Sequence, residues 1–209
     1  MNKKYWWKHL EFFIFKLFYP VKVICKERVP EGKTVIIANH LRALDPCVMH
    51  GVYLEDMKII AKKELFNKKI VSWYAKLHGG MPIDRENPSI QSILQFVREL
   101  KKGQKLLIFP EGTRNKENTN IQEIKSGAGA IAIMAKAPII PAIIFKHEKM
   151  FRKTYIYVGE VIDLSKYYGV KLTDEVQAEI NDLLRSRMLK AQSELDEYMY
   201  AKTGKKVKR

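Results

Sequence analysis

Three short apolar runs constrain this 209-residue chain more than anything else in it: Thr34 to Ala38 (TVIIA), Lys105 to Phe109 (KLLIF) and Ile139 to Phe145 (IIPAIIF). Each has strand length and reads as a buried strand, and the stretches between them carry helical spacing. Further strands are expected at Met57 to Ala61, in a short piece just before Asp84, and at Tyr155 to Val158. Asp45 and Pro46 open one helix, the acid as its cap and the proline in its first turn, and another lies around Ile70 to Leu77. Asn87 and Pro88 repeat that start, after which Ile90, Ile93, Leu94, Val97 and Leu100 follow at helical spacing up to Gly103. A Gly- and Ala-rich helix spans Gly127 to Ala135, and a long one runs from about Thr173 to Tyr200. Alternating strands and helices predict an α/β fold with a mostly parallel central sheet flanked by helices.

The unusual polar residues fall where strands end: Asn39 and His40 after the first run, Asp84 and Arg85 after the short strand, Glu111 to Arg114 after KLLIF. In open parallel sheets the ligand crevice lies outside the carboxyl ends of the strands, so the three segments are expected to meet in one cleft.

His40 and Asp45 are five residues apart at a strand-to-helix transition, where a turn can bring the carboxylate against imidazole Nδ1. The acid then fixes the tautomer while the other ring nitrogen takes a proton from an attacking hydroxyl. Asp45 also has a plain structural use as a helix cap. The six-residue string FPEGTR (Phe109 to Arg114) is more specific: Arg114 can fork onto phosphate oxygens, with Glu111 and Thr113 holding hydroxyls across the flexible Gly112. Its structural alternative is a polar turn closed by an Arg–carboxylate pair. GGMPIDR (Gly79 to Arg85) offers a second arginine for the same anion, or an Asp84–Arg85 surface pair. Cys47 stands near the start of the Asp45 helix and is either a nucleophile or a small buried residue.

Lys plus Arg outnumber Asp plus Glu by 38 to 23, a net charge of +15, which implies an acidic partner: lipid headgroups, an acidic carrier protein, a phosphorylated substrate or nucleic acid. No recognised nucleic-acid module is present, so nucleic acid is not expected. Two cysteines without clustered spacing indicate neither a disulfide framework nor a zinc site.

The opening MNKKYWWKHLEFFIFKLFYPVK is dense in aromatics yet interrupted by Lys8, His9, Glu11 and Lys16, far short of the roughly 20 apolar residues that a spanning helix needs. On a helix, Trp6, Leu10, Phe13, Ile14 and Leu17 share one side, Lys8, His9 and Lys16 lie toward the other, and Phe12 and Phe15 project toward the polar side. This reads as an amphipathic helix at a membrane interface, ended by Pro20, which either sinks deep in the headgroup layer or packs Phe12 and Phe15 on the body; the alternative packs the whole helix on its own domain. At the other end Lys202, Lys205, Lys206, Lys208 and Arg209 form a basic tail, either solvated or attracted to anionic lipid.

Taken together, HLRALD, GGMPIDR, FPEGTR and IIPAII, in this order over roughly residues 35 to 145, resemble the glycerolipid acyltransferase family. The resemblance implies transfer of an acyl group from acyl-CoA or acyl-ACP, without a cofactor or metal, onto lysophosphatidate to give phosphatidic acid. Glycerol-3-phosphate or another lysophospholipid is the alternative acceptor, and a non-catalytic basic membrane-binding protein is the alternative of a different class. It implies His40 and Asp45 as the catalytic pair, Arg85, Glu111, Gly112, Thr113 and Arg114 as substrate-binding, and Lys125, shortly after the third block, as a further basic position. The expected layout is a membrane-interface segment at 1–28, the acyltransferase domain at 29–201 and the basic tail at 202–209. The expected place is peripheral or monotopic on the cytoplasmic face of the cell membrane.

Overall fold

The computed structural model describes residues 13–52, 57–117, 120–125, 127–146 and 149–207. Its frame is a seven-stranded sheet of β1 (Val21–Ile24), β2 (Thr34–Ala38), β3 (Met57–Lys62), β4 (Gly80–Ile83), β5 (Lys105–Ile108), β6 (Ile139–Ile144) and β7 (Thr154–Val158), in the order β1-β7-β6-β2-β5-β3-β4. Strands β6, β2, β5, β3 and β4 run parallel, β7 is antiparallel to β6, and β1 is parallel to β7. The sheet is therefore mostly parallel, as the alternation of elements predicts. Strands β2, β5 and β6 are buried along their whole length, the burial expected of uninterrupted apolar runs covered on both faces.

The described part of the first helix, α1, covers 13–18. The other helices are α2 (Asp45–Val52), α3 (Lys69–Leu77), α4 (Ile90–Lys101), α5 (Ala128–Ala135) and α6 (Asp174–Thr203). Helices α4, α5 and α6 cover one face of the sheet, where Phe96, Leu100, Ile131 and Leu184 meet Val35, Ile37 and Leu106. On the other face Val48 and Met49 of α2 pack on Ile36, Leu107 and Ile140, with Phe15 of α1 laid against the same cluster.

Three sequence expectations are corrected. Residues 21–24 of the segment read as a membrane interface are strand β1, paired with β7 from Val21 opposite Thr154 to Ile24 opposite Tyr157, so the sheet begins inside 1–28. The cap of α4 is Ser89, whose Oγ accepts from the Ser92 amide at 3.2 Å, because Asn87 precedes a proline and its own amide is bound to Asp84. The basic tail begins inside α6, which ends at Thr203 and is closed by Gly204 in the left-handed conformation. In the GG pair, Gly79 has φ +78 and a Cβ there would lie 2.6 Å from the Met57 carbonyl oxygen, so the turn into β4 admits only glycine.

Trp6, Lys8, His9, Leu10 and Phe12 of the opening segment, and Lys208 and Arg209 of the tail, lie outside the described residues. Phe13, Ile14 and Leu17 are exposed on α1, and Phe15 packs against the body. No helix among the described residues is long and apolar enough to cross a membrane.

Candidate active site

The site is built at the carboxyl ends of β2 and β5, which pair in register from Thr34 opposite Lys105 to Ile37 opposite Ile108. Leaving β2, the chain turns through His40 to Asp45. His40 Nδ1 lies 2.7 Å from Asp45 Oδ2, and the same oxygen accepts from the amides of Leu41 at 2.6 Å and Arg42 at 2.7 Å. The carboxylate is fully buried and turned back into its own loop, so it folds that loop around the imidazole. A carboxylate on Nδ1 makes that nitrogen the proton donor and leaves Nε2 as the basic lone pair. The imidazole is 13% exposed and stacks on the Phe109 ring with centroids 4.2 Å apart.

The loop after β5 grips the backbone of His40 from both sides. Glu111 Oε1 accepts from the His40 amide at 3.2 Å, and the Asn115 amide donates to the His40 carbonyl at 2.7 Å. Glu111 Oε2 accepts from the Gln122 amide at 3.1 Å, which folds the chain after FPEGTR back over its own start. Arg185 of α6 holds the far side of that fold by donating to the carbonyls of Ile121 and Gln122. Burial pushes the Glu111 carboxyl above its ordinary range, and the two amides pull it only partly back.

Two hollows flank the wall made by the His40 loop and FPEGTR. One, of about 450 Å³, is mostly apolar: Ile60, Ile83, Ile93, Ile108 and Ile131 line it, with Arg85, Gly112, Thr113 and Lys125 also at its surface. The other, about 420 Å³ and more open, lies along Leu41 to Leu44 and carries Arg42, Arg114 and Lys116. The expectation that Arg85 and Arg114 share one cleft is thus corrected: each lines a different hollow. Arg85 donates to the Gly112 carbonyl, so it also braces the turn of the third block. Glu111 also borders the apolar hollow, fully buried with both oxygens engaged by backbone amides.

Sequence reasoning missed the contributions of four residues, although Asn39 already stands out there as a polar residue at a strand end. Asn39 is buried and forms a two-bond pair with the Ile144 backbone, Oδ1 accepting at 2.7 Å and Nδ2 donating at 3.0 Å, which ties the start of the His40 loop to the end of β6. Asn115 anchors His40, and Arg42 and Lys116 supply two of the three cations of the open hollow. Their only signal was membership of the HLRALD stretch or adjacency to FPEGTR. Pro141 of the fourth block sits in mid-strand opposite Ile37, where its carbonyl accepts from Gly159, so that block frames the sheet.

Residues 20–145 match the family model described as Acyltransferase. The chain is 33% identical to the 1-acyl-sn-glycerol-3-phosphate acyltransferase of Bacillus subtilis over 189 residues, covering 85% of this chain and 90% of that protein. The chain belongs to the acyltransferase family. It is an enzyme that transfers acyl groups, and its relatives include a Streptococcus pneumoniae protein of the same name, 38% identical over 51% of this chain and 39% of that one. The 1-acyl-sn-glycerophosphate acyltransferase of Thermotoga maritima shares the fold, with a TM-score of 0.63 over 92% of this acyltransferase and 84% of that chain, at 19% identity.

Proposed function

We propose that this acyltransferase moves a fatty acyl group from a thioester onto the free hydroxyl of 1-acyl-glycerol-3-phosphate, making phosphatidic acid. The observation that carries the reading is the His40–Asp45 pair, 2.7 Å apart, whose ring partner Phe109 borders an apolar hollow and whose loop residues Leu41 and Arg42 border a basic one. The relatives named for this activity support it, the Bacillus protein along nearly its whole length.

In the proposed step, Nε2 of His40 takes the hydroxyl proton as the oxygen attacks the thioester carbonyl carbon. The tetrahedral oxyanion collapses, the carbon–sulfur bond breaks, and the departing thiolate takes the proton back from the imidazolium. Asp45 holds Nδ1 throughout and balances the transient charge. The attack is direct, without an acyl-enzyme or a cofactor, and the products are an ester and a free thiol. The Leu41 and Arg42 amides are engaged by Asp45, which leaves the oxyanion to other donors.

The apolar hollow, of a size that holds small ligands, suits an acyl chain, and Arg42, Arg114 and Lys116 suit the acceptor phosphate. Lys125 and Arg85 border the acyl side, where the phosphates of coenzyme A or the acidic surface of an acyl-carrier protein would meet them. Phe13, Ile14, Leu17 and Phe18 of α1 are exposed next to Met150 and Phe151, and the Phe151 amide donates to the Phe18 carbonyl at 2.6 Å. This apolar surface would rest on the cytoplasmic face of the cell membrane, peripherally or monotopically, with the positive chain drawn to anionic lipid.

The test is thiol release from acyl-CoA and from acyl-carrier protein with lysophosphatidate, glycerol-3-phosphate and neutral lysolipids. Phosphatidic acid formed from lysophosphatidate at the highest kcat/KM supports the reading; preference for an acceptor without phosphate overturns it.

A further inference from the structure

Helix α3 is built inside out. Its only buried residue is Ser72, 7% exposed, whereas Ile70 and Trp73 are 82% and 65% exposed. Ile70, Trp73, Tyr74 and Leu77 stand at i, i+3, i+4 and i+7, the spacing that in a globular domain faces the core. Here Ile70, Trp73 and Tyr74 of that stripe are exposed instead, and Val71 and Leu65, from the turn before the helix, are exposed beside it. A soluble chain does not leave an indole and several aliphatic side chains contiguous in water without an occupant for them.

The surroundings name the occupant. Lys68, Lys69 and Lys76 border the stripe, and beside them Lys62 and Lys63 pair with Glu64 and Asp84, which leaves an excess of positive charge. An apolar helical face carrying tryptophan and rimmed by long cationic side chains matches a lipid interface, where the indole sits at headgroup level and the lysines reach anionic phosphates. Position argues the same way. The 63–67 turn follows β3 directly and is held to the end of β4 by the Lys63–Asp84 ion pair, next to Arg85, so the start of α3 stands at the end of the sheet where His40 lies. Helix α1 leads into β1, which runs opposite to β2, and so α1 reaches the same end at the other edge. Six inter-strand steps of about 4.8 Å separate those edges by roughly 29 Å.

We propose that the exposed face of α3 is a second membrane-docking element, which with α1 holds the sheet against an anionic bilayer at two edges and fixes the catalytic end toward the lipid. This rests on the acyltransfer reading only for its purpose, and the experiment keeps the two apart. Replacing Trp6 and Trp7 by Phe leaves Trp73 as the sole tryptophan of three. With this full-length variant, phosphatidylglycerol vesicles should shift Trp73 emission to the blue, and bromine on the lipid chains should quench it. In the wild-type background, I70E together with W73E should lower partition onto those vesicles roughly tenfold or more. Turnover of a short-chain lysophosphatidate, dissolved below its micelle concentration, should stay within about twofold, since neither residue touches the site.

Emission that stays unmoved while the chain sediments with vesicles overturns the proposal. So does a blue shift on adding acyl-carrier protein without lipid, which would make the stripe a protein-docking face. A lipid-free shift that follows chain concentration and a dimer in sedimentation also overturns it, because the stripe would then join two copies. Absence of turnover on every acceptor, the dissolved one included, defeats the acyltransfer reading and leaves the vesicle result to stand alone.

Discussion

Asp45 and Glu111 are both fully buried acids at the ends of parallel strands, and both bind His40, but they do so in opposite ways. Asp45 gathers three donors on one oxygen, all from within five residues of itself, so its loop is a local object. Glu111 spreads its two oxygens over the amides of His40, 71 residues earlier, and Gln122, 11 later. One acid meets the reacting ring, and the other holds the backbone on either side of the site, with the Asn115 side chain also bound to it. Local wiring tunes a side chain, whereas long-range wiring assembles the loops that carry it.

The contrast breaks most sharply at the ring. His40→Ala should lower kcat by about 10³-fold or more, the span of a lost general base, with an unchanged melting temperature. Asp45→Asn keeps an oxygen for the Leu41 and Arg42 amides but removes the charge that supports the imidazolium, and kcat should fall by about 10²-fold or more. Equal activity in Asp45→Asn and wild type would show that Asp45 only folds the loop.

Arg114→Ala should raise KM for lysophosphatidate about tenfold with little change in kcat, as expected for a lost charge-assisted bond to phosphate. Arg85→Ala should instead depress kcat through the Gly112 turn that it braces. An exchange of those two signatures would move the phosphate into the apolar hollow.

Glu111 gives a pH signature of its own. Burial raises its folded pKa above the unfolded value near 4.5, so the stability it contributes is complete below that value and is lost as pH rises through the folded pKa. Thermal melts from pH 4 to 8 should therefore show wild type losing stability relative to Glu111→Gln as pH rises. A flat difference would mean that the carboxyl titrates normally. Glu111→Ala should cost about 1–3 kcal/mol at low pH, since two buried amides lose their acceptor, and less as pH rises through the folded pKa. The smallest effect belongs to Cys47→Ala, with kcat within about twofold of wild type; a trapped thioester on Cys47 would replace the direct attack with a two-step transfer.

Much of the fold was legible because its signals are local. Uninterrupted apolar runs gave β2, β5 and β6, and the spacing of Ile93, Val97 and Leu100 gave α4. Strand β1 was not legible: VKVI is only four residues behind an aromatic segment, and it becomes a strand by pairing with β7, more than 130 positions away. The serine that caps α4 lost to the asparagine before it in sequence reading because both residue types suit a cap, and only the bond to Ser92 separates them. The inverted face of α3 was equally hidden, since helical spacing gives a stripe without saying which way it points.

By itself the sequence determined the chemistry on offer: a histidine five residues before an acid, a Pro-Glu-Gly-Thr-Arg turn after a buried strand, and an excess of positive charge. Its local spacing allowed Asp45 to meet His40, because a turn of that length can close on itself, but left open that the acid merely caps the helix. Tertiary structure alone decided that Glu111 would clamp the His40 backbone, that Phe109 would lie under the imidazole, and that Arg85 and Arg114 would be parted into two hollows. Those outcomes depend on β2 pairing with β5 and on a loop folded back by amides distant in sequence, and distances set by such pairings are not encoded in the spacing of the residues they join.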